Sequence, residues 1–138
     1  MQRKMTRAVA VLSGLLALAA CSQAEAPQAD GVCWRVDRVS GQRPKFSELA
    51  RGVGNLDNCA VLLEAVRLQG QASADGAFQG YFIFVDANGV TSAKHPDGFR
   101  YPIFQPPQRL EVDRELQRLM KARGGRLPDA AELSLERK

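Results

Sequence analysis

Side chains that could do chemistry are few in this chain of 138 residues, which contains three cysteines and one histidine. His95 lies in the turn-forming segment KHPDG and has no identifiable partner that would orient it as a general base or metal ligand. The segment DANG at residues 86–89 lacks the further alternating oxygens and closing glutamate of a calcium loop. We therefore expect a surface histidine, a hairpin turn, and neither a metal, a cofactor nor a catalytic residue.

The first twenty residues have the three parts of a secretory signal. Arg3, Lys4 and Arg7 form a basic start, and residues 8–20 form an apolar run that ends in small side chains. This run of 13 residues is shorter than the roughly 20 residues that a membrane-spanning helix needs. We therefore predict a signal peptide over residues 1–20 rather than a transmembrane helix.

The end of this signal is more specific. Residues 18–21 read Leu-Ala-Ala-Cys, which resembles the lipobox of bacterial lipoproteins. In that family the signal is cut before the cysteine, the thiol receives a diacylglycerol, and the new amino group is usually acylated. The resemblance implies that Cys21 is the lipidated first residue of the mature protein. Ser22 stands where an aspartate would favour the inner membrane, so we expect an outer-membrane protein facing the periplasm.

Removal of the signal changes the charge of the chain. The full sequence has 19 basic and 15 acidic residues, and its net charge is +4. Because residues 1–20 contain three basic and no acidic residues, the mature chain has a net charge of only +1. Nucleic-acid binding depends on a basic surface in the working protein, so we expect no nucleic-acid partner.

The two remaining cysteines are expected to pair if Cys21 carries lipid. Cys33 and Cys59 form no CxxC motif, and an exported protein is outside the reducing cytosol. We predict a disulfide between them, with metal binding or catalysis as the alternative. A bridge that closes about 27 residues contributes about 3–4 kcal/mol to the free energy of unfolding.

The mature chain divides into three predicted parts. Residues 21–31 are small and polar and predict a flexible lipidated tether. Residues 32–106 predict a small α+β domain, and residues 107–138 predict an amphipathic helix and a partly disordered tail.

The domain is expected to contain a small antiparallel sheet of three or four strands packed against two helices. Pro44 and Gly52 bracket a predicted short helix over residues 44–51. The helical periodicity of residues 56–68 predicts a second helix, which begins after Asn55. The predicted strands are residues 32–36, 78–85, 90–93 and 99–104.

Six residues are candidates for contact with a partner. Tyr81, Tyr101 and Phe104 lie near the predicted edge strand, where aromatic side chains form either the core or an exposed recognition patch. Val112, Leu116 and Leu119 form a narrow apolar stripe on the C-terminal helix, which packs on its own domain, on a partner or on a second copy.

These features together predict a lipid-anchored envelope protein, non-enzymatic, that binds or assembles with a protein partner. No small-molecule substrate is inferred. The alternatives are an envelope enzyme without a readable motif and a hydrolase inhibitor, which would present a protruding loop at residues 92–100.

Overall fold

The computed structural model describes residues 23–135, which form six strands and three helices. Cys21, the lipidation candidate, lies outside the described residues. In chain order the elements are β1 (Cys33–Asp37), β2 (Lys45–Ala50), α1 (Leu56–Leu68), β3 (Gly76–Phe78), β4 (Tyr81–Val85), β5 (Val90–Ala93), β6 (Tyr101–Pro102), α2 (Pro106–Ala122) and α3 (Ala130–Leu135).

The strands form one antiparallel sheet in the order β2-β1-β3-β4-β5-β6. Helix α1 connects β2 to β3, and β3 returns beside β1. The chain then continues from β3 to β6 as neighbouring strands. The α+β class, the antiparallel sheet and the disulfide are confirmed, but the sheet has six strands rather than three or four.

One of the extra strands comes from a turn inside the predicted strand over residues 78–85. Gln79 and Gly80 both have positive φ, at 42° and 84°, and they connect β3 to β4 through a two-residue hairpin. Two consecutive positive-φ residues match the right-handed twist of paired strands. Glutamine rarely adopts this conformation, so the sequence carries little sign of the turn.

The other extra strand replaces the predicted helix over residues 44–51. Residues 45–50 form β2, which pairs with β1 along its whole length. Phe46 packs near Phe82 on the neighbouring part of the sheet, with 6.1 Å between the ring centroids. Pairing and aromatic packing outweigh the weak local helix signal, as tertiary contacts commonly do.

Helix α1 occupies the centre of the domain. Its bounds are those predicted, and the Asn55 side chain caps it by accepting a hydrogen bond from the Asn58 N–H at 2.8 Å. Residues 58–66 are all buried, because the sheet covers one side of the helix while α2 and α3 pack on the other. A helix that is buried all round is an internal helix.

Helix α2 begins at Pro106, one residue before the predicted start of the C-terminal helical segment at residue 107. Two prolines fit the first turn because its N–H groups have no partner within the helix. The Gln105 N–H donates to the Gln108 side chain at 2.9 Å, which caps the start. Leu116 and Met120 are buried, so α2 packs back on its own domain.

The disulfide between Cys33 and Cys59 joins β1 to α1. Both cysteines are fully buried, and the bridge lies in the core between the helices and the sheet. It therefore fixes the central helix to the sheet, as the sequence predicted.

The two faces of the sheet are covered differently. The helices cover one face, which carries Cys33, Phe78, Ile83, Val85 and Val90. The opposite face carries a second apolar cluster with Val36, Ala77, Phe82, Phe84 and Ala93. Residues 23–28, here called the strap, contribute Ala24 and Ala26 to this second cluster.

Candidate functional site

The strap was predicted as part of a flexible tether, yet it contacts the sheet along its length. Ala26 is buried, and the Pro27 carbonyl accepts a hydrogen bond from the Gly80 N–H at 2.9 Å. Toward the N-terminus, the strap borders a cavity that is lined by Gln23, Ala24 and Glu25 on one side and by Arg43, Pro44 and Phe46 on the other. The strap thus runs from the β3–β4 turn toward the loop that joins β1 to β2.

Two arginines lie over the open face beside the strap. The guanidinium groups of Arg38 and Arg100 lie 4.9 and 3.8 Å from the ring centroid of Phe84. Arg38 also forms an ion pair with Asp75 at 2.6 Å. These contacts cover Phe84, which is why an aromatic side chain on the helix-free face is nonetheless buried.

An exposed group of aromatic side chains, here called the aromatic edge, consists of Tyr81, Phe99 and Tyr101. Phe99 is 76 % exposed and Tyr101 is 63 % exposed, and their rings make an edge-to-face contact at 4.9 Å. Ile83 pairs with Ser92, and Ser92 pairs with Tyr101, so Tyr81 and Tyr101 lie on the same face of the sheet. The Lys94 ammonium lies 5.1 Å from the Tyr81 ring centroid.

The six candidate contact residues are therefore in different environments. Tyr81 and Tyr101 are exposed at the aromatic edge, whereas Phe104 and Leu116 are buried in the core. Phe104 packs inward because the chain turns from β6 into α2 there, and Ile103 donates its N–H to the Val90 carbonyl at 2.8 Å. Phe99, which belongs with the exposed pair, was not among the candidates.

Val112, Leu116 and Leu119 meet at a cavity between the helices. This helical cleft has a volume of about 280 Å³. Its apolar walls also include Val61 of α1 and Leu133 of α3, and its polar lining residues are Asn58, Glu111 and Glu115. The C-terminal stripe thus packs on α1 and also leaves part of its apolar surface open to this cleft.

Asn58 is the unusual lining residue of the cleft. It is only 5 % exposed, and its Oδ1 has no hydrogen-bond donor among the described residues. A buried amide without a partner is costly, so natural proteins rarely retain one. No local pattern marks this residue in the sequence, since Asn58 follows the capping Asn55 and resembles an ordinary first-turn polar residue.

A third group, the carboxylate cluster, comprises Glu64, Arg67, Arg109 and Asp113. The fully buried Glu64 accepts hydrogen bonds from Arg67 at 2.8 and 2.9 Å and from Arg109 at 2.9 and 3.1 Å. Arg109 also donates to the Asp86 carbonyl at 2.5 Å. Glu64 therefore joins α1 to α2, and Arg109 extends this connection to the β4–β5 turn.

The pKa values of the two acids of this cluster are shifted in opposite directions. Burial raises the pKa of Glu64, but the hydrogen bonds from Arg67, Arg109 and Asp113 outweigh it and lower the pKa to about 2. Burial and the neighbouring Glu64 raise the pKa of Asp113 to about 6. Neighbouring acids whose pKa values are shifted apart in this way are typical of active sites. Here Glu64 has no solvent-exposed side-chain area, so a substrate cannot reach it.

The remaining sequence candidates have structural roles. The Asp86 side chain accepts from the Asn88 and Gly89 N–H groups at 2.8 and 3.1 Å, which closes the β4–β5 hairpin turn. His95 is half-buried in a turn in which its carbonyl accepts from the Gly98 N–H at 2.9 Å. Within residues 23–135, no three His, Cys, Asp or Glu side chains come together as a metal site.

No helix among the described residues has the length and apolar character needed to cross a membrane. Comparison of the chain with protein-family models, with curated proteins and with solved structures found no significant match.

Proposed function

We propose that this chain is a lipid-anchored protein of the cell envelope that binds a protein partner through the aromatic edge, without catalysis. The observation that carries the proposal is the exposure of Phe99 and Tyr101, which form one aromatic pair at the end of the sheet. Large aromatic side chains contribute much of the binding energy of protein interfaces. An exposed pair of this kind favours recognition over a purely structural role.

The anchor in this proposal is Cys21, because residues 18–21 resemble a lipobox. The path of the strap indicates which part of the domain such an anchor would adjoin: Gln23 borders the same cavity as Arg43 and Pro44, and Cys21 is two residues away from Gln23 along the chain. Two residues span at most about 7 Å. A lipid on Cys21 would therefore hold the loop over residues 38–44 close to the membrane.

That arrangement separates the anchor from the aromatic edge. The loop over residues 38–44 follows Asp37 at the end of β1. Cys33, at the start of β1, pairs with Phe78, and Phe78 pairs with Tyr81, so Tyr81 lies beside the start of β1. Four residues of a strand span about 13 Å. The anchored loop and Tyr81 thus lie at opposite ends of β1. Tyr101 is level with Arg35 in the middle of β1 but lies four strands away from it, and this separation leaves the aromatic edge free to meet a partner.

The test is site-specific photo-cross-linking in intact envelopes. A photoreactive amino acid at position 101 is compared with one at position 110, since Leu110 is also exposed, at 60 %, but lies on α2. We expect one discrete adduct from position 101, its loss on Phe99→Ala, and none from position 110. Equal adducts at both positions, or an adduct insensitive to Phe99→Ala, would contradict the proposal. A hydrolase in the adduct would identify the protein as an inhibitor.

A further inference from the structure

The sheet has two outer strands, and they differ in how well they are protected from further pairing. Strand β6 consists of Tyr101 and Pro102 only, and a proline cannot donate a ladder hydrogen bond. Strand β2 has six residues, Lys45–Ala50, and within residues 23–135 it pairs only with β1. The unpaired backbone groups of an outer strand can receive another strand. β2 therefore offers the longer free edge of the sheet.

The register shows which backbone groups of β2 are free. The Val36 N–H donates to the carbonyl of the residue that precedes β3, at 2.9 Å, and neighbouring residues of a strand direct their backbone groups to opposite sides. Arg35 therefore bonds toward β2, where it pairs with Ser47. Phe46 and Glu48, on either side of Ser47, direct their N–H and C=O groups away from β1. Among the described residues, neither has a backbone hydrogen bond to another element.

Both faces of the sheet have room beside this edge. On the open face, a cavity of about 490 Å³ is lined by the strap, Pro44 and Phe46. On the helix face, a cavity of about 460 Å³ is lined by Leu49 of β2, Leu62 of α1 and Leu127 before α3. Side chains of an extended chain point alternately to the two faces of a sheet. An added strand thus places successive side chains beside one cavity and then the other.

The charges of this edge select the chemistry of the added strand. Arg43, Lys45 and Arg51 are basic, and Glu48 is the only acid over residues 43–51. Glu48 pairs with Arg51 at 2.7 Å, so the net positive charge lies at the start of β2. A second copy of this chain carries the same charge and is repelled, whereas an acidic strand is attracted.

The positions of charge and cavity also fix an order along the added strand. Leu49 packs on the core at the helix side, and Lys45 faces the same side because it alternates with Phe46, which packs on the open face. Since the sheet is antiparallel throughout, an added antiparallel strand runs from Leu49 toward Lys45. It places an apolar residue beside Leu49 and, four positions later, an acidic residue beside Lys45.

We propose that the free edge of β2 binds an extended, acidic segment of a partner polypeptide as an antiparallel strand. The backbone of the segment bonds to Phe46 and Glu48, an apolar side chain enters the cavity at Leu49, and a carboxylate meets Lys45. Such strand addition takes its affinity from main-chain hydrogen bonds and its specificity from alternate side chains. This site lies at the opposite edge of the sheet from β6 and does not depend on the proposed function.

The direct test adds three peptides of equal length to the purified, processed protein: acetyl-TITTTET-amide, the reversed acetyl-TETTTIT-amide, and acetyl-TITTTKT-amide. By nuclear magnetic resonance, the first should slow hydrogen exchange of the Phe46 and Glu48 N–H groups more than that of Ser47, whose N–H already bonds to β1. The reversed peptide should bind about fivefold more weakly, and the lysine peptide about threefold more weakly. No protection of Phe46 and Glu48, or equal binding of all three peptides, would overturn the proposal.

Two variants at one position separate backbone pairing from charge. Glu48→Pro and Glu48→Thr both remove the ion pair with Arg51, but only proline also removes the outward N–H. Glu48→Pro should weaken the binding of the first peptide about tenfold, whereas Glu48→Thr should not weaken it. Equal affinities of the two folded variants would contradict the role of the backbone.

A third variant tests the charge of the edge and leaves Glu48 in place. Lys45→Glu should reverse the preference between the glutamate and lysine peptides, because a carboxylate then meets the added strand. An unchanged preference would contradict the role of Lys45. Self-association of the protein without peptide, with protection of the same two N–H groups, would replace the acidic partner by a second copy of this chain.

Discussion

Glu64 lies in the middle of α1, where every neighbouring position from 58 to 66 is buried. A buried carboxylate is tolerated when hydrogen bonds and opposite charges replace its hydration, and here two arginines do so. The periodicity of α1 predicts the burial of this position but not its partners, because Arg109 is 45 residues away.

Removal of Arg109 tests the structural role of the carboxylate cluster. Arg109→Met should lower the free energy of unfolding by about 2–3 kcal/mol, because Glu64 stays buried with only Arg67 as its cationic partner. Arg118→Met is the matched control, since it removes an exposed ion pair to Glu115 and should cost less than about 0.5 kcal/mol. Urea unfolding measures both. Equal losses in the two variants would show that the cluster adds no more than a surface pair.

The raised pKa of Asp113 predicts a dependence of stability on pH. Its pKa is about 6 in the folded protein against an ordinary 3.8, so folding favours the protonated form. The contribution is complete below pH 3.8 and is lost as the pH rises through 6. The lowered pKa of Glu64 has the opposite effect on stability. Its contribution is complete above about pH 4.5 and is lost as the pH falls toward 2.

The Asp113→Asn variant should not show this loss of stability as the pH rises through 6. Because the substituted amide stays neutral at every pH, we expect the variant to gain about 1 kcal/mol over the wild type between about pH 5 and pH 8, a value reduced for the partial exposure of the side chain. Urea unfolding at the two pH values measures the gain. Asp37→Asn, at the exposed end of β1, serves as the control. A variant that loses stability in parallel with the wild type would refute the assignment.

At the scale of the elements, Gly76 of β3 lies against α1 with no room for a side chain. A Cβ atom there would lie 2.6 Å from the Trp34 carbonyl oxygen and would also overlap the Leu63 side chain. Gly76→Ala should therefore cost about 3 kcal/mol of unfolding free energy, at the upper end for overpacking. Gly89→Ala, whose Cβ would meet only Thr91 at 3.9 Å, should change it by less than about 0.5 kcal/mol. Thermal and urea unfolding compare the two, and a tolerated Gly76→Ala would contradict the described packing.

The disulfide between β1 and α1 gives a second prediction at this scale. Cys33→Ala combined with Cys59→Ala should lower the unfolding free energy by about 3–4 kcal/mol, because the unfolded chain is released from a loop constraint. Reduction of the wild type under denaturing conditions should reach a similar value. No difference between oxidised and reduced protein would show that the bridge contributes little.

The elements differ in how far the sequence reveals them. Helix α1 is predicted to the residue, because its cap and its apolar positions are local signals. Strand β2 and the turn at Gln79 and Gly80 are not predicted, since both depend on pairing with strands elsewhere in the chain. The same reason explains why Asn58, Glu64 and Phe99 were missed as site residues: burial and partners distant in sequence decide their roles. The pairing of Cys33 and Cys59 was predictable because cysteine chemistry and the predicted export restrict the alternatives.

At the scale of the whole molecule, the proposed arrangement gives the domain two functional surfaces, the anchored loop over residues 38–44 and the aromatic edge. In that proposal the lipid is attached at the end of the strap that borders the loop over residues 38–44, and Tyr81 of the aromatic edge lies beside the other end of β1. This arrangement depends on one covalent feature, the lipid on Cys21.

Membrane fractionation of wild type and Cys21→Ser is therefore the most direct test of the central claim. The wild type is expected in the membrane fraction, with an N-terminal peptide that begins at Cys21 and carries acyl chains by mass spectrometry. Cys21→Ser should be released as a soluble protein or accumulate with its signal peptide uncut. A Cys21→Ser protein that is processed and stays in the membrane fraction like the wild type would contradict the account.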